Sequence, residues 1–503
     1  MTRKIIGIDV GTGGTRAVLV DEKGEVIASA THDHAQFASP QNGWAEQNPR
    51  NWWNACQQAL GKLLRENAVN KTEIAAIGLT GQMHGAVLLD ENDEVLRPAL
   101  IWCDQRTQGE CDALNETIGE QRLVELTSNP ALTNFTLTKL MWVRAHEPEI
   151  WKLFRSFLLP KDYVRLQLTG VKATDVSDAS GTLLLDVAHR RWSQEMLAAT
   201  HLDTSCLPQL FESQQVVGTI TARAALATGL AEGTPVVAGA GDQAAGAIGM
   251  GIVKAGDVSA TIGTSGVVFA ATDQPFLDPR GRLHTFCHAV PQRWHVMGVT
   301  QAAGLSLRWF RDTFGTTGAT CNPYESLARE AAAIPAGADG VLWAPYLMGE
   351  RTPHLDAEVR GALIGLAASH GRGHIIRAIL EGVAFSLKDT LTIFAEIGVP
   401  VNDIRLGGGG ALSPLWRQIQ ADVYAKPVSQ LAAEQGAAHG AAVLAGVGAG
   451  LWPSVDEACA RFVRVASVVS PEKQSSDKLQ RQYKIYRAIY PALKQIRAAV
   501  SAG

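Results

Sequence analysis

IIGIDVGTGGTRAVLVDEKGEVIASA, residues Ile5–Ala30, decides how the rest of the chain is read. An apolar run ends just past Asp9, a glycine-rich turn follows, TRAVLVD resumes as a strand, and Glu22-Lys23-Gly24-Glu25 turns into a third strand, VIASA. Aliphatic and β-branched runs punctuated by glycine turns predict an antiparallel meander. DVSATIGTSGVVFAAT, residues Asp257–Thr272, repeats strand, glycine turn and strand, and two such hairpins far apart in the chain predict two similar lobes. A third glycine group, IRLGGGG at Ile404–Gly410, predicts a short strand, a turn and then a helix from about Pro414 to Tyr424.

Apolar strands near Ile74–Leu79, Val87–Leu89 and Val236–Ala238 alternate with amphipathic stretches such as Trp52–Asn67, which makes the class α/β. Helical spacing returns at Arg372–Phe394 and Ala437–Ala449, and the second is so rich in Ala and Gly that close packing against a neighbour is its expected purpose. The chain has 503 residues, too many for one ordinary core. The expected division is a lobe of residues 1–245 and a lobe of residues 246–503, joined by ordered segments near Asp242–Gly256 and facing each other across a cleft.

A net charge of −4, with 45 basic and 49 acidic residues and no long run of one sign, points away from nucleic acid and anionic membrane as partners. Asp9 interrupts the apolar start well short of a signal peptide, and no apolar run is long enough to cross a bilayer. The seven cysteines (Cys56, Cys103, Cys111, Cys206, Cys287, Cys321 and Cys459) show neither a disulfide framework nor C-x-x-C spacing. A cytoplasmic protein is expected.

The first turn gathers a carboxylate, peptide N–H groups and hydroxyls within a few residues, the groups that phosphates need. Gly11, Gly13 and Gly14 allow several N–H groups to face one anion, and Thr12 and Thr15 are expected to add hydroxyl donors. Asp9 is placed to hold Mg²⁺ through water, since that ion favours oxygen ligands and keeps part of its hydration shell. The alternative is an ordinary hairpin with a turn aspartate. Gly263, Thr264, Ser265 and Gly266 offer a second turn of the same chemistry, so the pair reads as a nucleotide clamp. Gly408, Gly409 and Gly410 then present a surface free of side chains to an adenine ring or ribose; a tight strand-to-helix turn is the alternative.

The order Asp-x-Gly-Thr, GAGDQAAGA at Gly239–Ala247, Gly-Thr-Ser and a glycine turn resembles the FGGY carbohydrate kinases of the actin-like ATPase superfamily. GALIGLAASHGRGHIIRAILE at Gly361–Glu381 fits the second signature of that family, and KLMW at Lys139–Trp142 part of the first, Asn134 and Ala145 departing from it. The resemblance implies two actin-like, ribonuclease H-like lobes with an interlobe active site, ATP and Mg²⁺ as cofactors, a small ketose as substrate, and by analogy a homodimer. GWAEQNP at Gly43–Pro49, GQMHG at Gly81–Gly85, PKDY at Pro160–Tyr163 and GERTPH at Gly349–His354 are most similar to the branch acting on D-xylulose.

Asp242 follows the strand Val236–Ala238 among small neighbours, and the resemblance makes it the general base; capping the helix that starts at Gln243 is the competing role. Gln243 is a departure, because several members acting on xylulose carry Asn there, and it is counted among the substrate contacts. Met83 and His84 match residues that line the sugar site of those relatives. Trp102 and Asp104, with Arg106, are read either as a pocket wall, the acid and the guanidinium paired, or as a layer that only supports the pocket from behind; Arg351 is open between facing a phosphate and pairing with a neighbouring acid. His284, Cys287, His288 and His295 fit no usual zinc spacing and read as structural, and Trp52 and Trp53 read as parts of a capped helix. Three rivals stand beside this reading: a family member acting on ribulose, L-xylulose, a hexulose or a sugar acid, an actin-like chaperone ATPase, and a sugar-sensing regulator.

Overall fold

The computed structural model describes residues 3–315, 322–433 and 436–501, so Cys321 lies outside the described residues. The first sheet contains β1 (Lys4–Val10), β2 (Gly14–Asp21), β3 (Val26–Asp33), β4 (Ile74–Gly81), β5 (Val216–Thr219), β6 (Pro235–Val237) and β7 (Ala240–Gly241). β1, β2 and β3 are the predicted meander. β4 joins β1 in parallel, β6 and β7 both join β4 in parallel, and β5 closes the edge antiparallel to β6. The predicted strand at Val87–Leu89 forms but pairs with Ser156–Leu158, away from this sheet.

The second sheet contains β8 (Asp257–Ile262), β9 (Gly266–Thr272), β10 (His284–Cys287), β11 (Trp294–Thr300), β12 (Asp403–Gly408), β13 (Val428–Leu431) and β14 (Val465–Val469). β8, β9 and β11 are antiparallel, β12 and β13 add in parallel beside β8, and β14 closes the edge antiparallel. Three antiparallel strands, two parallel ones and an antiparallel edge thus occur twice, with β10 as an extra strand beyond β11. That repeat is the duplication the two hairpins foretold.

Alternation along β1 sorts the side chains. Ile6, Ile8 and Val10 pack with Trp52, Cys56 and Leu60 of the Pro49–Glu66 helix on one face of the sheet. Ile5, with Val18, Val20 and Ala76, meets Ala245, Ile248, Ala438 and Leu444 on the other. The last two belong to the Gly436–Gly448 helix, which comes from the far end of the chain and lies on the first sheet. It approaches so closely that a Cβ on Gly7 would sit 1.9 Å from Ala438 O, one on Gly78 2.0 Å from Ala441 O, and one on Gly440 1.9 Å from Ala245 O. Close packing, the purpose expected of the Ala- and Gly-rich stretch, is what it does.

In the second sheet, Val258, Ala260 and Ile262 pack under Phe310, Ile379, Val383 and Trp416, from the helices Gly304–Phe314, Arg372–Ile397 and Pro414–Tyr424. Phe269 and Ala271 point the opposite way and share a cluster with Met83, Phe135 and Phe286. This cluster joins the two halves beside the segment that carries GQMHG.

Candidate active site

The two predicted carboxylates lie at the same end of the first sheet. Asp9 faces the side of β1 that carries Ile5 and Gly7, and it pairs across to Thr80 of β4. Ala240 pairs with Thr80 from β7, and two residues later Asp242 opens the Asp242–Gly249 helix as its first helical residue, Gly241 being the cap. Burial pushes Asp242 up to about 7, the charge of Asp9 adds to this, and Gln243, with Nε2 at 3.4 Å from Asp242 Oδ1, opposes it. Burial likewise pushes Asp9 up to about 6 against the pull of Arg16. Asp9 Oδ1 is buried and, among the described residues, has no hydrogen-bond partner. An acid near neutrality suits a general base, and two crowded carboxylates with an orphan oxygen suit a divalent cation held partly through water.

The turn between β1 and β2 is closed by Gly11 N donating to Gly14 O at 3.0 Å. Among the described residues the amides of Thr12 and Gly13 donate to no protein acceptor, and a Cβ on Gly13 would meet nothing within 4 Å. The hydroxyls behave otherwise. Thr15 is fully buried with Oγ1 2.8 Å from His34 Nε2, which corrects the expectation that it donates to phosphate. Thr12 Oγ1 donates to Gln82 Oε1 at 3.1 Å and accepts from Trp102 Nε1 at 2.9 Å, so its proton is engaged too. Gln47 Nε2 donates to Thr12 O, while Gln47 Oε1 accepts from Gln82 Nε2 and Trp52 Nε1. GWAEQNP, GQMHG and the segment around Trp102, Ile101–Arg106, therefore meet on one turn, through side chains that the sequence alone did not single out as a set.

The second turn keeps its hydroxyls free among the described residues. Gly263 and Thr264 are exposed, Gly263 N donates to Ser265 O at 3.0 Å, and among the described residues the Thr264 and Ser265 hydroxyls have no protein partner. Gly263, Thr264, Gly409 and Gly410 line one cavity of about 780 Å³, closed by Leu380 and Trp416, a volume that suits a nucleotide. Gly408 does not line it. Its backbone takes φ 68°, and a Cβ there would lie 2.5 Å from Ile262 O, so it makes the turn that brings Gly409 and Gly410 against β8.

Of the expected sugar contacts, Met83 is buried and rests on Gly241, where a Cβ would lie 2.9 Å from Met83 Sδ. His84 is buried with φ 67°, and its Nδ1 donates to Gly181 O at 2.8 Å, which leaves Nε2 as an acceptor. Burial, then Lys139 and Arg351, push His84 down to about 3, so the ring is neutral. Lys139 Nζ donates to His84 O at 2.8 Å and braces this turn. Trp102, the expected pocket wall, is 43% exposed. Asp104 is fully buried, its oxygens taken by Ala45 N and by Arg106, so it stands behind the wall and does not face the pocket. Arg351 is half-buried beside His84 and His284, and among the described residues its guanidinium has no protein partner; Glu350 accepts instead from Thr300, Gln301 N and Arg351 N.

His284 stacks on Phe286 and pairs with Asn129 Oδ1, His288 donates from Nε2 to Ile252 O, and His295 stacks on Phe269, packing roles throughout. Asn48 caps the helix that carries Trp52 and Trp53.

Two glycine turns, a nucleotide-sized cavity at the second and paired acids at the end of a sheet define a nucleotide-dependent phosphotransferase of two similar lobes. The chain belongs to the FGGY family of carbohydrate kinases: residues 4–249 match its N-terminal domain and residues 258–449 its C-terminal domain. It is an ATP-dependent sugar kinase. It is 41% identical over 496 residues to the xylulose kinase of Bacillus subtilis strain 168, covering 99% of this chain and 98% of that one. It is 39% identical over 494 residues to the xylulose kinase of Escherichia coli K12, covering 98% and 100%. A crystal structure described as a xyloylose kinase from Brucella ovis matches with a TM-score of 0.91 and 37% identity over 98% of this chain and 100% of that chain. No helix among the described residues is long and apolar enough to cross a membrane.

Proposed function

We propose that the enzyme transfers the γ-phosphoryl group of ATP to the terminal hydroxyl of D-xylulose, giving D-xylulose 5-phosphate and ADP. The observation that carries this reading is Asp242, raised to about 7 at the end of the first sheet beside Asp9, with Met83 packed on the residue before it. ATP lies along the cavity with its phosphates towards the Thr264 and Ser265 hydroxyls and the free amides of Thr12 and Gly13. Met83, Trp102 and the neutral His84 bind the ketose, Nε2 of His84 accepting from a sugar hydroxyl. Asp242 takes the proton of the attacking hydroxyl as the new O–P bond forms and the bond to the β-phosphate oxygen breaks. Asp9 is the residue to hold Mg²⁺, which when bound neutralises phosphate charge in the transition state.

Residues 1–245 and 246–503 are the two lobes of this scheme, and their closure excludes water from the transfer. The unpaired guanidinium of Arg351 beside His84 favours a second reading, a sugar acid as substrate. Steady-state phosphorylation of D-xylulose, L-xylulose, D-ribulose, D-fructose and a sugar acid separates the two, and a D-xylulose preference below about tenfold refutes the first. Asp242→Asn is expected to lose about 10²- to 10⁴-fold in kcat while still binding ATP, and retention of wild-type kcat would remove Asp242 from the role. Light scattering reads whether the chain forms the homodimer, and cell fractionation the cytoplasmic location, that the family reading expects.

A further inference from the structure

Lys161, Asp162, Arg165, Asp175 and Asp178 are all fully buried in the first half of the chain. Lys161 Nζ lies 2.6 Å from Asp162 Oδ1, 2.9 Å from Asp175 Oδ1 and 3.3 Å from Asp178 Oδ2, and Arg165 Nη1 lies 2.8 Å from Asp162 Oδ1. Burying so many charges is expensive, since desolvation offsets their attraction and apolar side chains of equal volume often do as well. Direction is what apolar packing lacks and this cluster has.

Arg165 donates to Ala238 O at 2.5 Å and also to Ala173 O. Asp175 Oδ2 accepts from Ser177 N at 2.8 Å, from Ser177 Oγ at 2.5 Å and from Ser213 Oγ at 2.8 Å. With its proton committed to Asp175, the Ser177 oxygen can only accept, and it accepts from Gly241 N at 3.1 Å. The peptide N–H immediately before Asp242 is thus tied to a buried, charged frame. The same glycine carries Met83 on its other side.

We propose that the chain Lys161–Asp175–Ser177 is a positioning device for the transfer: it fixes Gly241, and through Gly241 it sets both the Asp242 carboxylate and the Met83 wall against the hydroxyl to be phosphorylated. This rests on the reading of Asp242 as the base. A misplacement of about 1 Å at a reacting group can cost on the order of a hundredfold in rate. The chain acts on geometry and touches neither substrate.

The test is steady-state phosphorylation of D-xylulose by the full-length enzyme, read as ADP release, with thermal midpoints measured on the same samples. Ser177→Ala is expected to lower kcat by roughly ten- to a hundredfold, with the KM for ATP unchanged and the midpoint close to wild type. Ser177→Thr, which keeps the hydroxyl, restores most of kcat. Ser213→Ala removes another donor to Asp175 without touching Gly241 and keeps wild-type kcat. Wild-type kcat in Ser177→Ala, or an equal loss in Ser213→Ala, overturns the proposal. Should Ser177→Ala not accumulate folded, Ser177→Cys keeps the volume and weakens the acceptor, and wild-type kcat there overturns it equally. Asp242→Asn, assayed in parallel, separates the two ideas: full activity there sinks the base assignment, whereas an inactive Asp242→Asn beside a normal Ser177→Ala sinks the positioning device alone.

Discussion

Replacing Asp9 by Asn should make the protein more stable at neutral pH while disabling it. Asp9 and Asp242 rise from the ordinary aspartate value of 3.8 to about 6 and about 7 in the fold. A carboxylate whose folded value lies above its unfolded one opposes folding once it ionises. Below about pH 4 both states hold the protons and nothing is lost; between about pH 4 and pH 7 the unfolded chain releases protons that the folded chain keeps, so stability falls as pH rises. For Asp9 the gap between 3.8 and about 6 is about 2, which at about 1.4 kcal/mol each comes to about 3 kcal/mol. Solvent at the cleft mouth reduces this to roughly 1–3 kcal/mol. Asp9 Oδ1 has no hydrogen-bond partner to lose, and Asp242 is relieved of a neighbouring charge. Thermal midpoints of wild type and Asp9→Asn, taken without nucleotide or divalent cation from pH 4 to pH 8, should coincide at the acid end and separate in favour of the variant above pH 6. A constant difference across that range, or a less stable variant at pH 8, would refute the reasoning.

Gly409→Val adds bulk to the cavity at a position where the nearest atom to a Cβ, Ile262 O, is 3.8 Å away; the variant should fold and raise the KM for ATP at least about tenfold, leaving that for the sugar unchanged, as initial rates would read. Gly78→Ala drives a Cβ to 2.0 Å from Ala441 O, and loss of soluble protein or a sharply lower thermal midpoint is expected. Arg351→Met should leave the KM for ATP unchanged and abolish inhibition by sugar acids, measured by competition against the ketose.

Elements whose chemistry is local were legible before the structure. Both hairpins, the strand and helix around Gly408–Gly410 and the close-packed helix follow from runs and turns of a few residues. The placement of Asp9 and Asp242 at strand ends was legible from the apolar runs and glycines around them, while the role of base for Asp242 came from the family resemblance. Thr15 was misread although alternation held the answer: it shares a strand face with Ala17 and Leu19, which are core residues, and so points inward. For Asp104 the pairing with Arg106 was legible and its place was not, since an acid facing a pocket and an acid locked behind it by arginine look alike in a string of letters. The Gln47–Gln82–Thr12 network and the Lys161 cluster were invisible for a different reason. In the first the Thr12 and Gln82 side chains stand at a separation of 70; the second lies within Lys161–Asp178, but its links from Asp175 to Ser213 and from Ser177 to Gly241 span 38 and 64 residues, and only the fold brings these groups within hydrogen-bond reach.

The Gly436–Gly448 helix has a consequence for how the chain is made. Synthesis runs from the amino terminus, so Ile5, Val18, Val20 and Ala76 leave the ribosome long before Ala438, Ala442 and Leu444 exist to cover them. Ala245 and Ile248 cover part of that face from mid-chain, and the rest must wait until translation nears its end, a standing invitation to aggregation or to a chaperone. The amino-terminal family domain, cut out on its own, would keep Ala245 and Ile248 but lack the Gly436–Gly448 helix on this face, so the two halves of this kinase are a unit of biogenesis even though their sheets repeat one plan.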